Sequence, residues 1–401
     1  PSLRSMDEAL QPDLELLQQQ SLYSQRKIAD GPQQIHLNMA GRSFLSFCSN
    51  DYLGLASHPE LIKQLKIAVD KYGVGSGAAH LISGHSRAHH LLEEELAEFT
   101  GRSRALLFST GYMANLGIVS ALCGKHDGIF QDKLNHASLI DAARLSRGKL
   151  YRYRHNDMHM LARLLARESS QAKGQPVRKL IMSDAVFSMD GDIAEVKQMS
   201  QLCREHNAWL MLDDAHGFGV LGESGAGAAQ AFNLDQQELP IYMATLGKAM
   251  GGFGAFVAGS EALIETLIQQ SRPYIYTTAM PAALAETLRE SVRITCRESW
   301  RREKLNSLIE YFKRGAKQLG LPLMDSMTPI QPLLLRSSEG ALSMSQKLAQ
   351  QGLLVSAIRP PTVPQNSARL RITFSAAHEQ SDIDRLLIAL DELWNAPISK
   401  S

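Results

Sequence analysis

The chain has 401 residues, enough for more than one packed core, because single cores stop growing near about 250–300 residues. Hydrophobic residues make up 44% and charged residues 21%, with 42 basic and 41 acidic side chains, so no basic field for nucleic acid is expected. Its 4 widely spaced cysteines favour neither a zinc site nor a disulfide framework, and they indicate a reducing cytoplasm.

The first 55 residues predict an N-terminal arm. A helix is followed by a hairpin in HLNMAGRSFLSF, where apolar positions alternate. The segment PSLRSMDEALQPDLELLQQQ lacks a basic region followed by an apolar core, so we expect no secretory signal. The SHPE sequence that starts at Ser57 has the form of a capping box, and Leu61, Leu65 and Ala68 then recur at helical spacing.

Residues 56–290 predict a large domain built on a mostly parallel sheet. Short apolar runs such as RALLFST, KLIMSD and AWLMLDD alternate with helical patterns such as YMANLGIVSAL and VKQMSQLCREH. This alternation is typical of a sheet covered by helices on both faces. The uncharged run 105–124 is about the length of a membrane span, but its polar residues and glycines favour a strand, a turn and a helix.

Residues 291–401 predict a smaller α+β domain. The charged helix RESWRREKLNSLIEYFKRG is followed by the strand patterns PLLLRS, GLLVSAI and RLRITFS. A last helix begins at Ser381. Its apolar face consists of Ile383, Leu386, Leu387 and Leu390.

Several candidate functional residues directly follow the apolar runs, where ligands of open parallel sheets bind. Gly111 lies in a strand-to-helix turn, whose free amides suit a phosphate, although glycine there can also serve conformation alone. Asp213 and His216 follow AWLML, either as a ligand pair or as caps of the next turn. His136, in DKLNHASL, is either an ordinary polar residue before a helix or a ring that stacks on a planar ligand.

Lys248 lies in ATLGKAMGG, which suggests a phosphate loop, covalent chemistry or a solvated turn. A nucleotide phosphate loop needs a glycine and a hydroxyl where this chain has Tyr242 and Ala249, so the nucleotide interpretation is weak. Together with Gly111 and Asp213, the lysine suits pyridoxal phosphate. Helix amides would hold the phosphate, the carboxylate would pair with the pyridinium nitrogen, and the amine would bond to the aldehyde.

The chain resembles the α-oxoamine synthases, a family of fold-type I pyridoxal-phosphate enzymes. The matching segments are SNDYLGL, FSMDGD, DDAHGFGVLGESG, TLGKAMGG, IYTTAMP and RLRITFSAAHE. The resemblance implies a mostly parallel seven-stranded sheet in the large domain, a smaller α+β C-terminal domain, and a homodimer with shared active sites. AIRPPTVP is most similar to the members that condense L-alanine with a pimeloyl thioester of CoA or acyl carrier protein.

The resemblance also implies roles around the cofactor. Lys248 would bond to the cofactor and act as general base, and Asp213 would pair with its ring nitrogen. His216 would contact the ring hydroxyl and His136 would stack on the ring. The other cofactor contacts implied are Gly111, Tyr112, Ser188, Thr245, and Thr277 or Thr278 towards the neighbouring subunit; no metal is implied.

On the substrate side, the resemblance implies that Arg371 holds the amino-acid carboxylate. Without the resemblance, Arg371 would be interpreted as a surface strand arginine. The other substrate residues implied are Asn50, Arg26, and Arg359 and Thr362 in the RPPT turn, which can also be purely structural. One departure concerns the N-terminal arginine cluster of pimeloyl-using members, for which SLYSQRK leaves only Arg26 and Lys27.

Three alternatives remain at this stage. The nearest is a glycine C-acetyltransferase that uses acetyl-CoA. A second is a non-catalytic regulatory protein that binds pyridoxal phosphate. A third is the nucleotide-binding protein that the Gly-Lys pair suggests.

Overall fold

The computed structural model describes residues 5–20, 22–171 and 177–395. Its helices are α1 (Met6–Gln19), α2 (Pro59–Tyr72), α3 (Arg87–Thr100), α4 (Gly111–Leu122), α5 (Ala137–Leu145), α6 (Met158–Gln171), α7 (Val196–His206), α8 (Ala228–Ala231), α9 (Glu261–Gln270), α10 (Arg272–Ile275), α11 (Ala282–Arg297), α12 (Trp300–Gln318), α13 (Ser338–Gln350) and α14 (Gln380–Trp394). Its strands are β1 (His36–Met39), β2 (Arg42–Ser46), β3 (Arg104–Phe108), β4 (Gly128–Asp132), β5 (Lys149–Tyr153), β6 (Lys179–Asp184), β7 (Trp209–Asp213), β8 (Ile241–Thr245), β9 (Ala255–Gly259), β10 (Ile330–Arg336), β11 (Leu353–Leu354), β12 (Ser356–Ile358) and β13 (Ala368–Thr373).

The large sheet confirms the predicted fold. It has 7 strands in the order β3-β9-β8-β7-β6-β4-β5. β9 is antiparallel to both of its neighbours, and the other neighbouring strands pair in parallel. The central strands are almost entirely buried because helices cover both faces. Because they run in the same direction, the carboxyl ends of β3, β8, β7, β6 and β4 lie at the same edge.

Two smaller sheets contain the C-terminal strands. β10, β13 and β12 form one of them, and β1, β2 and β11 form the other. The predicted single strand GLLVSAI is therefore wrong, because β11 pairs with the N-terminal hairpin whereas β12 pairs with β13. The division at residues 55 and 290 stays a proposal, and the ends of its outer segments, residues 1–4 and 396–401, lie outside the described residues.

The start of α2 corrects a second prediction. His58, not Ser57, is the N-cap, and its Nδ1 accepts a hydrogen bond from the Glu60 amide at 3.3 Å. Pro59 occupies the first helical position, where its missing N–H costs nothing. Of the predicted apolar face, Leu61 is buried but Leu65 is 37% exposed.

The uncharged run 105–124 forms β3 and α4, as predicted. Among the helices in the described parts of the chain, none has the length and apolar character that a bilayer crossing requires.

The FSMDGD loop joins the large sheet to the C-terminal strands. Gly191 has φ +75°, and a Cβ there would lie 2.4 Å from the carbonyl oxygen of Ile330. The hydroxyls of Ser326 and Thr328 donate to the Gly191 carbonyl at 2.8 and 2.9 Å. This close approach requires glycine, and it fixes the loop beside the edge where the strands end.

Candidate active site

Strand register brings the predicted phosphate cradle and the predicted ring partner to the same place. Phe108 at the end of β3 pairs with Ala255, which also pairs with Thr245 at the end of β8. Two strand spacings, about 10 Å, thus separate the start of α4 from Thr245. Asp213 lies on the next strand, opposite Met243. A ligand that spans β3 to β7 would meet all of these groups.

Asp213 is a buried carboxylate held on both oxygens. Its side chain is fixed by the Asn115 Nδ2 donor at 2.8 Å and the Ala215 amide at 3.0 Å, and the residue is 4% exposed. Asn115 comes from the first turns of α4, so the helix that offers amides to a phosphate also orients the carboxylate. The carboxylate is suited to stabilise a cationic ring nitrogen.

Lys248 follows β8 and its amine lies close to His216. The distance from Lys248 Nζ to His216 Nε2 is 2.9 Å. Burial lowers the pKa of the Lys248 amine to about 8, although the Asp213 and Asp184 carboxylates act in the opposite direction. A substantial fraction of the amine is therefore neutral near physiological pH, as a nucleophile or base requires.

His216 is fixed from its other side by Tyr52. The Tyr52 hydroxyl lies 2.7 Å from His216 Nδ1, and both residues are buried. Burial, followed by the charge of Lys248, lowers the pKa of His216 well below its ordinary value. The imidazole is therefore neutral, and it can accept a hydrogen bond from one partner while it donates to another.

His136 is the N-cap of α5 and lies above this edge. Its backbone amide donates to Asp184 Oδ2 at 2.6 Å, and its Nδ1 accepts from the Ser138 amide at 3.3 Å. Its side chain is exposed. Burial, with the nearby Asp213, raises the pKa of Asp184 well above its ordinary value. The His136 ring is thus fixed at the start of α5, and its side chain remains accessible.

The phosphate side contains the first turn of α4. Thr110 caps the helix by accepting from the Met113 amide at 3.1 Å, and Gly111 and Tyr112 follow it. The first amides of a helix have no partner within the helix. Thr245 Oγ1 donates to the Gly254 carbonyl at 2.9 Å and accepts from the Gly247 amide at 3.2 Å. The Tyr112 hydroxyl donates to the Asp141 carboxylate.

Arg371 is buried in β13 rather than exposed on a strand. Its Nε donates to the Ser188 carbonyl at 2.5 Å, and its Nη2 donates to Asn50 Oδ1 at 3.2 Å. Tyr52 also donates to Asn50 Oδ1, at 3.2 Å. Since guanidinium has five N–H donors, a bidentate pair remains for a carboxylate.

The other predicted substrate residues fall into two places. Thr362 lines a cavity together with His136 and Ser188, and Arg359 lies half-buried before it in the RPPT turn. Arg26 and Lys27 line a different cavity, beside Phe44 of the N-terminal hairpin.

The segment predicted to reach a neighbouring subunit is exposed. Thr278 is exposed and forms an isolated bridge with Ala79, and Thr277 is half-buried.

Three further residues complete the site and were not singled out in the sequence. Asp184 ends β6, so the strand-end rule would have indicated it. Asn115 is a buried polar side chain in an otherwise apolar helix, which is a weaker signal. Tyr52 contacts His216 across 164 positions of sequence, and no local pattern indicates such a contact.

The donors present fit pyridoxal phosphate. A buried carboxylate, a lysine with a lowered pKa and a set of first-turn amides are arranged along one edge of the sheet. The fit rests on the chemistry of these groups, which match a cationic ring, an aldehyde and a phosphate in turn.

We expect His155 to stabilise the FSMDGD loop in a pH-dependent way. Its Nε2 lies 2.7 Å from Asp192 Oδ2, and its Nδ1 lies 3.2 Å from Asp132. Although burial opposes it, the hydrogen bonds to the two carboxylates raise the pKa of His155 to about 10. Because the folded-state pKa is raised, this stability is fully present below about 6.5 and is lost as pH rises towards 10.

His155→Gln should therefore lower the free energy of unfolding by about 2 kcal/mol at pH 6 and by less at pH 9.5. Denaturant unfolding of the holoprotein at both pH values, with the exposed His159→Gln as control, measures the difference. An equal loss at both pH values would contradict the ion pair as its cause.

Comparisons with known proteins give consistent results. The family model for class I and II aminotransferases matches residues 42–390. A curated 8-amino-7-oxononanoate synthase from Cellvibrio japonicus (strain Ueda107) is 54% identical over 98% of this chain and 97% of its own length. Another, from Thioalkalivibrio sulfidiphilus (strain HL-EbGR7), is 56% identical over 95% of this chain and 96% of its own.

Solved structures also match nearly the whole chain. A serine palmitoyltransferase from S. paucimobilis with bound PLP and myriocin superposes with a TM-score of 0.90 at 28% identity, covering 99% of each chain. The 8-amino-7-oxononanoate synthase from Francisella tularensis superposes with a TM-score of 0.75 at 33% identity, covering 87% of this chain and 97% of its own. These matches agree with the family resemblance of the sequence motifs.

Proposed function

The chain belongs to the class I and II aminotransferase family and, within it, to the α-oxoamine synthases, and we propose that it makes 8-amino-7-oxononanoate from L-alanine and a pimeloyl thioester. The products would be the amino ketone, carbon dioxide and a free thiol. This is a carbon–carbon bond-forming step of biotin synthesis. The Lys248 amine is the site feature that best supports the proposal, because it lies beside His216 and interacts electrostatically with Asp213.

Pyridoxal phosphate supplies an electron sink for the bonds that break at the amino-acid α-carbon. Lys248 is proposed to hold the cofactor through its amine, and Asp213 to keep the ring nitrogen protonated. His216 would donate to or accept from the ring hydroxyl, and His136 would cover one ring face. The Gly111 and Tyr112 amides, the Thr245 hydroxyl and Ser188 complete the proposed cofactor contacts.

Lys248 is also proposed to move the proton of the reaction. Once the substrate amine has displaced it, Nζ would take the proton from the α-carbon of alanine. The α-carbon would then bond to the thioester carbonyl carbon while the carbon–sulfur bond breaks, and the departing thiolate would take a proton from solvent. Loss of carbon dioxide would follow, and Nζ would return its proton to the same α-carbon. An amine whose pKa is about 8 can both accept and donate a proton near neutral pH.

Arg371 and Asn50 are proposed to hold the carboxylate of alanine. The Arg371 guanidinium is already oriented by the Ser188 carbonyl and by Asn50, so little rotamer freedom is lost on binding. Holding the carboxylate fixes which α-carbon bond lies perpendicular to the ring plane, and that orientation favours its cleavage.

We expect Arg371→Lys to raise the KM for L-alanine by about 100-fold, because an ammonium cannot reproduce the bidentate fork. The KM for the acyl thioester should change little. Initial rates at varied alanine measure the effect, with the exposed Arg385→Lys in α14 as a matched control. An unchanged KM for alanine would show that Arg371 does not bind the alanine carboxylate.

A substrate matrix tests the proposed function. Alanine and glycine are each combined with pimeloyl-CoA and acetyl-CoA, and amino ketone and carbon dioxide are quantified. We expect the alanine and pimeloyl combination to have the highest kcat/KM. Activity with glycine and acetyl-CoA alone would support glycine C-acetyltransferase, and no thioester consumption at all would support a non-catalytic binding protein.

We further propose a homodimer with shared active sites, located in the cytoplasm. The exposed Thr278 and half-buried Thr277 support this, since an IYTTAMP segment that reaches a partner's phosphate has to be accessible in one subunit. Arg359, Thr362 and Arg26 are proposed to contact the acyl substrate.

A further inference from the structure

The cavity above the candidate site has two cationic side chains at its opening. It has a volume of about 560 Å³, and His136 and Ser188 are among the residues that line it. Lys133 and Arg152 line it as well, and both side chains are exposed. The cavity therefore leads from the groups proposed for chemistry to two positive charges at the surface.

These two residues are held together by the sheet. Lys133 directly follows β4, and Arg152 lies in the neighbouring β5, where it pairs with Gln131. The Arg152 Nη2 atom donates to the Lys133 carbonyl at 3.1 Å. His136 lies three positions after Lys133, so their Cα atoms are at most about 11 Å apart. Lys133 and Arg152 therefore lie near His136, and both side chains are exposed.

The charge at this opening is not neutralised. Asp190 is the one acidic residue among the described residues that line the cavity, and it is ion-paired with Arg369. Within the described ranges, neither Lys133 nor Arg152 has an ion pair, whereas the neighbouring Arg154 is paired with Asp157 at 2.8 Å. Two cations at an open cavity favour an anionic group of the ligand that enters there.

We propose that Lys133 and Arg152 bind the phosphate of a 4′-phosphopantetheine arm, the group that CoA and acyl carrier protein share. The inference rests on the proposed acyl-thioester function. The thioester carbonyl has to come close to the Lys248 amine, which interacts electrostatically with His136 of the lining, while a nucleotide or a carrier protein has to remain outside the cavity. The phosphate joins the arm to either carrier, so it lies at the opening, where the two cations are.

The lining between the cations and the site fits such an arm. Leu134, Ile140, Met189 and Val363 offer apolar surface to the arm's hydrocarbon portion. Arg26 and Lys27 line the other cavity, so they do not compete for this role in the described subunit.

The inference can be tested without turnover by measuring Kd values calorimetrically. The ligands are 4′-phosphopantetheine, pantetheine, CoA and holo-acyl carrier protein, each titrated into the holoenzyme. Lys133→Gln combined with Arg152→Gln should raise the Kd of every phosphate-bearing ligand by about tenfold, the effect of two exposed charge pairs. The Kd of pantetheine, which has no phosphate, should not change. Arg154→Gln is the matched control and should leave every Kd as in the wild type.

Other outcomes overturn the inference in distinguishable ways. Unchanged phosphopantetheine binding in the double variant, or none by the wild type, would remove the phosphate site. A loss limited to CoA would assign the cations to its nucleotide. A KM effect that appears only when the acyl group has a far carboxylate would assign them to the acyl tail. Failure of the proposed function would instead appear in the substrate matrix of the wild-type enzyme.

Discussion

Replacement of Lys248 by alanine should reduce turnover by at least about 1,000-fold, because one side chain supplies both the bond to the cofactor and the proton transfer. The amine lies 2.9 Å from His216 Nε2 at the carboxyl edge of the sheet, and burial lowers its pKa to about 8. Lys248 interacts electrostatically with Asp213, Asp184 and Arg371, so its amine lies within the group of charged side chains at this edge.

The measurement combines kinetics with the covalent state of the cofactor. Wild-type protein treated with borohydride should retain pyridoxal phosphate after denaturation, whereas Lys248→Ala should release it. The exposed Lys197→Ala in α7 serves as control and should behave as the wild type. A Lys248→Ala protein that keeps most of its turnover, or that still retains the cofactor after reduction, would contradict the mechanism.

The location of a candidate site residue was predictable from sequence where the residue lies at or just after the end of a strand. Asp213 is the last residue of β7 and Lys248 lies three positions after the end of β8, and parallel pairing places such residues at one edge whatever the details of packing. The family resemblance assigned roles to these positions, and the structure then brought them together. The mostly parallel sheet was predictable because buried strands form short apolar runs that alternate with helical patterns, whereas its seven strands were implied by the family resemblance.

Contacts between distant segments could not be predicted in this way. Tyr52 reaches His216, and Asn50 reaches Arg371, because the chain of the N-terminal segment crosses the edge of the sheet. Propensity and periodicity describe a window of neighbouring residues, so they contain no information about such crossings. The GLLVSAI error has this origin, because its halves pair with different distant strands. The α2 error is local: the cap moves by one residue because His58 can accept the Glu60 amide.

Arg371 illustrates how tertiary structure changes an interpretation. In isolation, RLRITF is an alternating strand in which arginines should face solvent. Both arginines are instead buried, because the FSMDGD loop covers β13 and offers the Ser188 and Met189 carbonyls as acceptors. The loop can lie over β13 because Gly191, which has no Cβ, packs closely against the backbone of Ile330. The buried position of the Arg371 guanidinium thus depends on a glycine in a distant loop.

Asp213→Asn should lower kcat by about 1,000-fold, equivalent to about 4 kcal/mol of transition-state stabilisation. The carboxylate is proposed to keep the ring nitrogen protonated, and a neutral amide cannot do so. The same change removes a negative charge that raises the Lys248 pKa, so the amine should titrate at a lower pH than in the wild type. The loss of kcat should therefore be accompanied by a second change. When the rate at which the apoprotein binds the cofactor is measured against pH, the profile should shift to lower pH than in the wild type.

The substitution has a structural cost that can be separated from the catalytic one. Both Asp213 oxygens accept from N–H donors, Asn115 Nδ2 and the Ala215 amide, so the NH₂ of an asparagine would face a donor on one side. We expect about 1–2 kcal/mol of lost stability from that mismatch. Asp235→Asn, the same change at an exposed turn, serves as control. If Asp213→Asn loses stability but keeps its turnover and its pH profile, the carboxylate only supports the fold, and the ring nitrogen has no need of its charge.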